Sequence, residues 1–295
     1  MKGGKLARLV APARMLSLIV SDIVGDPVDM IASGPTIITA PQENTRSPLD
    51  ILNLYTLTEK IPQHVLAPLT EQPVQEQRGA EPDVINLLIG TNDIPLQQAR
   101  RLTSESSLSL VLTRGLTGEA RMVGSLLASL ARSICLQNKQ DLESVTEELN
   151  LCKISLDDAQ YKLQAGKPLI LLIGGETTVK VVGEGVGGRN QELVLSFAIE
   201  MGQDAGRIIQ ERGYTVELLS CGTDGIDGPT EAAGAVWSSD LSLDLQLASE
   251  ALEDNDSNTF WRRHHPDCLV VTGHTGTNVA DLIICKIHKK EVSSH

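Results

Sequence analysis

Apolar runs and amphipathic stretches alternate along the chain. Residues 16–20, 84–89 and 108–112 are short apolar runs, and each leads into a polar or glycine-bearing turn: Ser21-Asp22, Gly90-Thr91-Asn92 and Thr113-Arg114-Gly115. That pattern predicts three buried strands. Val123, Leu126, Leu127, Leu130 and Ile134 recur at helical spacing, so a helix follows the third strand. Leu142, Val145, Leu149, Cys152, Leu156, Ala159 and Leu163 recur at steps of three and four, which predicts one further long helix. The stripe spans about three heptads, too few for a coiled coil and suited to a helix packed on a sheet. Strands alternating with helices imply parallel pairing in an α/β layer fold.

Gln164-Ala165-Gly166-Lys167-Pro168 ends that helix and reads as a boundary, dividing a domain at 1–166 from one at 167–295. Beyond it the texture changes. Residues 169–173 and 177–182 read as two strands joined in a hairpin through Gly174-Gly175-Glu176. Gly183, Gly185, Gly187 and Gly188 precede a helix beginning near Asn190. Strands are expected at 216–219, 268–272 and 281–287, and a helix at 238–251. The second half is therefore α+β with a mixed sheet, following part of a doubly wound parallel-sheet α/β domain. Residues 37–49 and 70–83 read as polar, proline-bearing loops.

Composition narrows the function. The net charge of −13 excludes the clustered positive charge that sequence-independent nucleic-acid binding needs, and a polybasic membrane patch with it. Seven aromatic residues in 295 leave no base-stacking platform, and the core must be built from Leu, Ile, Val and Ala. Five cysteines, an odd number without a CxxC pair, argue against a disulfide framework or a structural zinc site and for a reducing compartment. No run of 18 apolar residues exists. Basic then apolar residues at the N-terminus faintly mimic a targeting signal. Pro12 and Arg14 break the run and no cleavage pattern follows, so a cytoplasmic protein is expected, with a mitochondrial address reserved for longer forms.

The segments that carry chemistry are turns. Asp22 and Asp26 follow a strand at the end where open α/β sheets place ligands, and suit a divalent cation or a hydroxyl proton. Ser33, Gly34 and Thr36, in ASGPT, offer N–H and hydroxyl groups to phosphate. Glu176 lies in GGETT. Gly187 and Gly188 allow close backbone approach, and a helix starting near Asn190 points free N–H groups at an anion. Arg189 adds a planar cation for carboxylate or phosphate. Asp224 and Asp227 sit three residues apart in CGTDGIDGPT. Thr275, Gly276, Thr277 and Asn278 form a small-residue nest that is no P-loop, because no GKS or GKT follows. Each segment has a plainer reading as an ordinary turn or helix cap. The dispersed histidines, including adjacent His264 and His265, make no metal pair, and Cys221 reads as a packed small residue rather than a nucleophile.

Together and in this order, SDIVGDPVDMIASGPT, LTRGLTGEAR, GGETTVKVVGEGVGGRNQEL, CGTDGIDGPTEAAGA and TGHTGTNVADL resemble the class II glycerate kinase family with its C-terminal MOFRL module. The resemblance runs from about residue 2 to 287. It implies ATP-dependent phosphorylation of D-glycerate with Mg²⁺, the 2-phosphate being the favoured product, in a two-domain chain that is free to form homo-oligomers. On that reading Asp22 or Asp224 orients or deprotonates the glycerate hydroxyl. Glu176 and Asp227 hold Mg²⁺, and Arg189 binds the glycerate carboxylate or the transferring phosphoryl group. Some relatives carry the label hydroxypyruvate reductase, but no strand–helix junction here shows the GxGxxG fingerprint of a nicotinamide enzyme. The family's early Gly-Lys-Ala and Ser-Gly-Gly elements are absent, His274 stands in place of a proline, and Ala280 stands where a small polar residue is common. The resemblance thus implies a shortened form or isoform, with poor or no kinase activity by itself and a loose N-terminal domain.

Overall fold

The computed structural model describes residues 2–38, 46–70 and 81–290. The chain divides into two compact units, one of residues 1–19 and 27–89, the other of 20–26 and 90–295. Most of the loops expected at 37–49 and 70–83 lies outside the described residues.

The smaller unit holds helix α1 (Lys5–Val10), strand β1 (Met15–Val20), α2 (Pro48–Leu54), α3 (Gln63–Thr70) and strand β2 (Val84–Gly90). Ser47 starts α2 with a capping box: its hydroxyl accepts the Asp50 N–H, and Asp50 accepts the Ser47 N–H. β1 and β2 form a two-stranded sheet. β1 alternates half-buried and exposed positions, as a strand covered on one face does. Among the unit's described residues, only Ala7 and Ile31 are buried apolar side chains.

The larger unit is built on a six-stranded sheet. Its strands are β3 (Leu108–Leu116), β4 (Leu169–Gly175), β5 (Tyr214–Gly222), β6 (Gly234–Ser238), β7 (Leu269–Val270) and β8 (Asp281–Lys289). Their order is β3-β4-β8-β5-β6-β7, with β3 parallel to β4 and every other pair antiparallel. Around it lie α4 (Asp93–Thr103), α5 (Ala120–Leu136), α6 (Lys139–Glu148), α7 (Leu156–Gln164), α8 (Arg189–Gly202), α9 (Asp204–Glu211), α10 (Leu245–Glu253) and α11 (Ser257–His264). All seven residues of β4 are buried. Leu169, Leu171 and Ile173 join the main core with α5 and α8, while Ile170 and Leu172 join a second cluster with Leu96 of α4. Period-two alternation thus serves both faces of one strand. Gly124 lets α5 and α8 cross closely, since a Cβ there would lie 2.3 Å from the Leu193 carbonyl oxygen.

Four expected elements differ. The stripe 142–163 is two helices, α6 and α7. Asn150 adopts φ 50°, the Cys152 N–H donates to the Leu112 carbonyl at 2.8 Å, and Ser155 caps α7. Leu142, Val145, Leu149, Ala159 and Leu163 still reach one core, whereas Cys152 is exposed. Residues 177–182 form no strand: both edges of β4 are taken, by β3 and β8, so Thr178 makes only a single bridge to Glu119. The helix expected at 238–251 begins only at Leu245, capped by Asp244, because β6 claims its first residue. The strand expected at 268–272 shrinks to Leu269 and Val270 after a 3-10 turn.

Candidate functional site

The predicted motifs of the larger unit converge at one end of its sheet. β8 runs antiparallel to both β4 and β5, so its first residue, Asp281, sits opposite Gly175 and Gly222 at their carboxyl ends. That is the edge where α/β sheets receive ligands. Residues 21–26, Asn92 and Asp93 at the head of α4, Arg114, Gly115, Gly175, Val279 and Ala280 line a cavity of about 210 Å³ there. Asp22 and Asp26 therefore share one wall, and Asp22 is exposed without a hydrogen bond to any described residue. Arg114 pairs with Asp93. Asn92 donates through Nδ2 to the carbonyls of Val279 (2.8 Å) and Asp281 (2.9 Å), tying the α4 head to the start of β8.

Arg189 opens α8. Its Nε and Nη2 donate to the two carboxylate oxygens of Asp281 at 2.6 and 2.9 Å, a bidentate fork. Its Nη1 lies 3.1 Å from Glu176 Oε1. The Asp281 side chain is 2% exposed, Arg189 30% and Glu176 41%, so the pair is buried on one side and open on the other. Donating hydrogen bonds to Asp281 holds the guanidinium above its usual pKa.

Other predicted ligand groups are engaged with protein. Asp227 is 1% exposed. Its Oδ1 accepts from the Asn190 N–H (3.0 Å) and Nδ2 (3.2 Å), and its Oδ2 from the Gln191 N–H and Nε2 (both 2.9 Å). Four donors fill a carboxylate's acceptor sites. The anion at the head of α8 is thus the protein's own side chain. Burial pushes the Asp227 carboxyl up, against the N–H groups that favour its charge. Gly188 is required here, because a Cβ would lie 2.2 Å from the Asp227 carboxyl carbon. The preceding glycine loop is pinned as well. Asn255 accepts the Val182 and Gly183 N–H groups, Asp254 that of Glu184 and Asp256 that of Val186. A Cβ on Gly187 would meet the Ser257 hydroxyl at 2.3 Å, so these glycines admit protein rather than ligand. Asn190 is 1% exposed and its Oδ1 accepts from Ser220.

The loop at 272–278 is exposed and lies over the 222–228 loop. The Thr275 hydroxyl donates to the Thr223 carbonyl (2.6 Å), its N–H to that of Asp224 (3.1 Å), and Asn278 accepts the Ala280 N–H (3.0 Å). Gly276 has φ 80°, and the Thr277 hydroxyl has no partner among the described residues. Half-buried Asp224 accepts the Ile226 N–H through Oδ1, leaving Oδ2 uncommitted. Ala280 adopts φ 66°, a left-handed conformation that asparagine and glycine favour over alanine. The Cys221 thiol is pushed up to about 11 by burial and then by Asp281 and Asp227, which fits a packed residue.

Ser33, Gly34 and Thr36 belong to the smaller unit, and their groups bond within it. The Ser33 and Gly34 carbonyls accept the Gly3 and Gly4 N–H groups, and buried Thr36 donates to Asn86 Oδ1 at 2.6 Å. Asp281, Asn92 and Asp93 were missed as site residues. The signal was present in part: Asp281 is an acidic residue directly ahead of an apolar strand, where a buried carboxylate demands a cation. A larger groove of about 710 Å³ lies along α6 and the 150–157 turn, but holds none of the predicted site residues. Among the described residues no group of three or more His, Cys, Asp or Glu side chains is arranged for a metal, and no helix is long and apolar enough to cross a membrane.

Comparison with known proteins supplies the family. The MOFRL family model matches residues 169–281, and that of a domain of unknown function, DUF4147, residues 1–70. Glycerate kinase of Mus musculus is 37% identical over 98% of this chain and 57% of its own length. That of Macaca fascicularis is 37% identical over 95% of this chain and 74% of its own. The crystal structure of glycerate kinase from Thermotoga maritima, 33% identical, superposes with a TM-score of 0.69 over 96% of this chain and 59% of that one. The chain thus spans just under three fifths of most relatives it matches, and it belongs to the glycerate kinase family that carries the MOFRL module.

Proposed function

We propose that this chain phosphorylates D-glycerate with ATP, the 2-phosphate being the favoured product. The observation that carries the reading is Arg189, held by a buried carboxylate at the carboxyl ends of β4 and β5 with its third nitrogen 3.1 Å from the partly exposed Glu176. A cavity of about 210 Å³ at the same end of the sheet, lined by Asp22, Arg114, Gly175 and Ala280 and not by Arg189 itself, suits a three-carbon acid; it is smaller than the roughly 300–1,000 Å³ of sites for larger ligands. Phosphoryl transfer needs positioning and charge neutralisation more than covalent chemistry. In the proposed step a glycerate hydroxyl oxygen attacks the terminal phosphorus of ATP, the bond to ADP breaks, and the hydroxyl proton passes to Asp22 or Asp224. Arg189 holds the substrate carboxylate or the transferring phosphoryl group. The exposed loop with Thr275, Gly276, Thr277 and Asn278 serves the nucleotide phosphates. Glu176 and Asp227 do not form a ready magnesium site: Asp227's acceptor positions are full and Glu176 faces Arg189, so no step is assigned to the metal. The division at 166/167 remains our reading of where the module carrying these loops begins.

The test is a coupled assay of the purified chain with ATP and D-glycerate, run beside hydroxypyruvate with NADH. Phosphorylation is expected only at a rate well below that of ordinary kinases, as the absent early elements imply, and Arg189→Lys should lower kcat/KM about 10²–10³-fold further, the scale of losing a charge-stabilising donor. NADH oxidation in place of phosphorylation overturns the proposal. Near-normal turnover in Arg189→Lys removes the role given to that residue.

A further inference from the structure

We propose that Asp281 is the positioning residue that aims Arg189, and that Glu176 is a counter-ion which an arriving anion displaces. The inference rests on the kinase reading only for its chemical purpose; the geometry stands by itself. Asp281 is locked from three sides. Its backbone pairs with Gly175 on β4 and Gly222 on β5. Its carbonyl accepts from Asn92 Nδ2 at 2.9 Å. Its carboxylate, 2% exposed, spends both oxygens on the Arg189 fork. A buried carboxylate with a bidentate partner is costly to uncouple, because each group would be left charged in a poorly solvated place.

The contact with Glu176 is of another kind. It is a single 3.1 Å approach to Nη1, and the Glu176 side chain is 41% exposed. Exposed single-point pairs contribute little and exchange readily with water. Arg189 thus carries one permanent carboxylate and one removable one. With both in place the cluster is net negative and repels an anion. When Glu176 turns outward to solvent, Nη1 is left facing the open side with its direction still fixed by Asp281.

Two substitutions in the whole chain separate the roles, read by NMR of ¹⁵N-labelled arginine and by titration with inorganic phosphate and with D-glycerate. In the unaltered chain the Arg189 Nε–H should exchange with solvent far more slowly than that of exposed Arg101. Asp281→Asn should abolish that protection and weaken anion binding at least 10-fold. Glu176→Gln should keep the protection and tighten anion binding several-fold. Fast Arg189 exchange in the unaltered chain overturns the role of Asp281 even where Asp281→Asn does not fold. Weaker anion binding in Glu176→Gln overturns displacement and makes Glu176 part of the ligand set. Since neither readout requires turnover, a chain that is not a kinase still decides the matter, and the enzyme assay alone judges the kinase reading.

Discussion

β1 and β4 look alike in sequence, MLSLIV against LILLIGG, yet they occupy different environments. Every residue of β4 is buried between β3 and β8 and beneath helices on both faces, whereas Leu16 and Leu18 of β1 are 59% and 60% exposed. Ile85, Leu87 and Ile89 on β2 are about half exposed as well, so one apolar side of the small sheet stands open. Parallel strands ordinarily have both faces covered. An apolar run therefore announces a strand, but what covers it is settled by the rest of the fold. The polar anchors differ in the same way. Asp227 serves four donors at the head of a long helix, while Thr36 serves Asn86 and Ser17.

The largest expected effect tests the anchors. Asp227→Ala strands two helix N–H groups and two side-chain amides in a buried place, and should cost about 3–5 kcal/mol. Thr36→Ala should cost about 1 kcal/mol. Trp237 and Trp261, both buried in the larger unit, report its unfolding by fluorescence in urea; hydrogen exchange reports the smaller unit. Equal losses would erase the contrast.

The strands come next. Leu171→Ala removes a fully buried side chain and should cost about 2–4 kcal/mol, and Leu18→Ala no more than about 0.5 kcal/mol. A large loss from Leu18→Ala would show that its face is covered in solution, which size measurements by light scattering would then have to explain.

The smallest effect concerns two alanines in left-handed backbone, Ala32 in the smaller unit at φ 50° and Ala280 in the larger at φ 66°. Glycine at either should raise stability by up to about 1 kcal/mol, relief of the Cβ clash being partly offset by the greater freedom of the unfolded chain. Thermal melts that fall for one and rise for the other would show that the two backbones are not held equally.

Local patterning made much of this legible. The apolar runs at 16–20, 84–89, 108–112 and 169–173, the helix through Val123 and Ile134, and the helix start beside Asn190 all follow from period and turn chemistry that a few neighbouring residues decide. So does the order of glycine- and aspartate-rich turns that marks the family. What those turns do was decided only by the tertiary structure. The glycine loop read as a ligand cradle is filled by residues 254–257, and the anion foreseen at the head of α8 is Asp227, supplied from 37 residues away. Arg189 meets Asp281 across 92 residues because β8 enters the sheet between β4 and β5. The physical reason is range. Hydrophobic period and backbone preference act within a turn or two, so they write themselves into contiguous sequence; a buried charge or N–H group takes whichever partner the sheet order brings within 3 Å, and no local pattern records that choice.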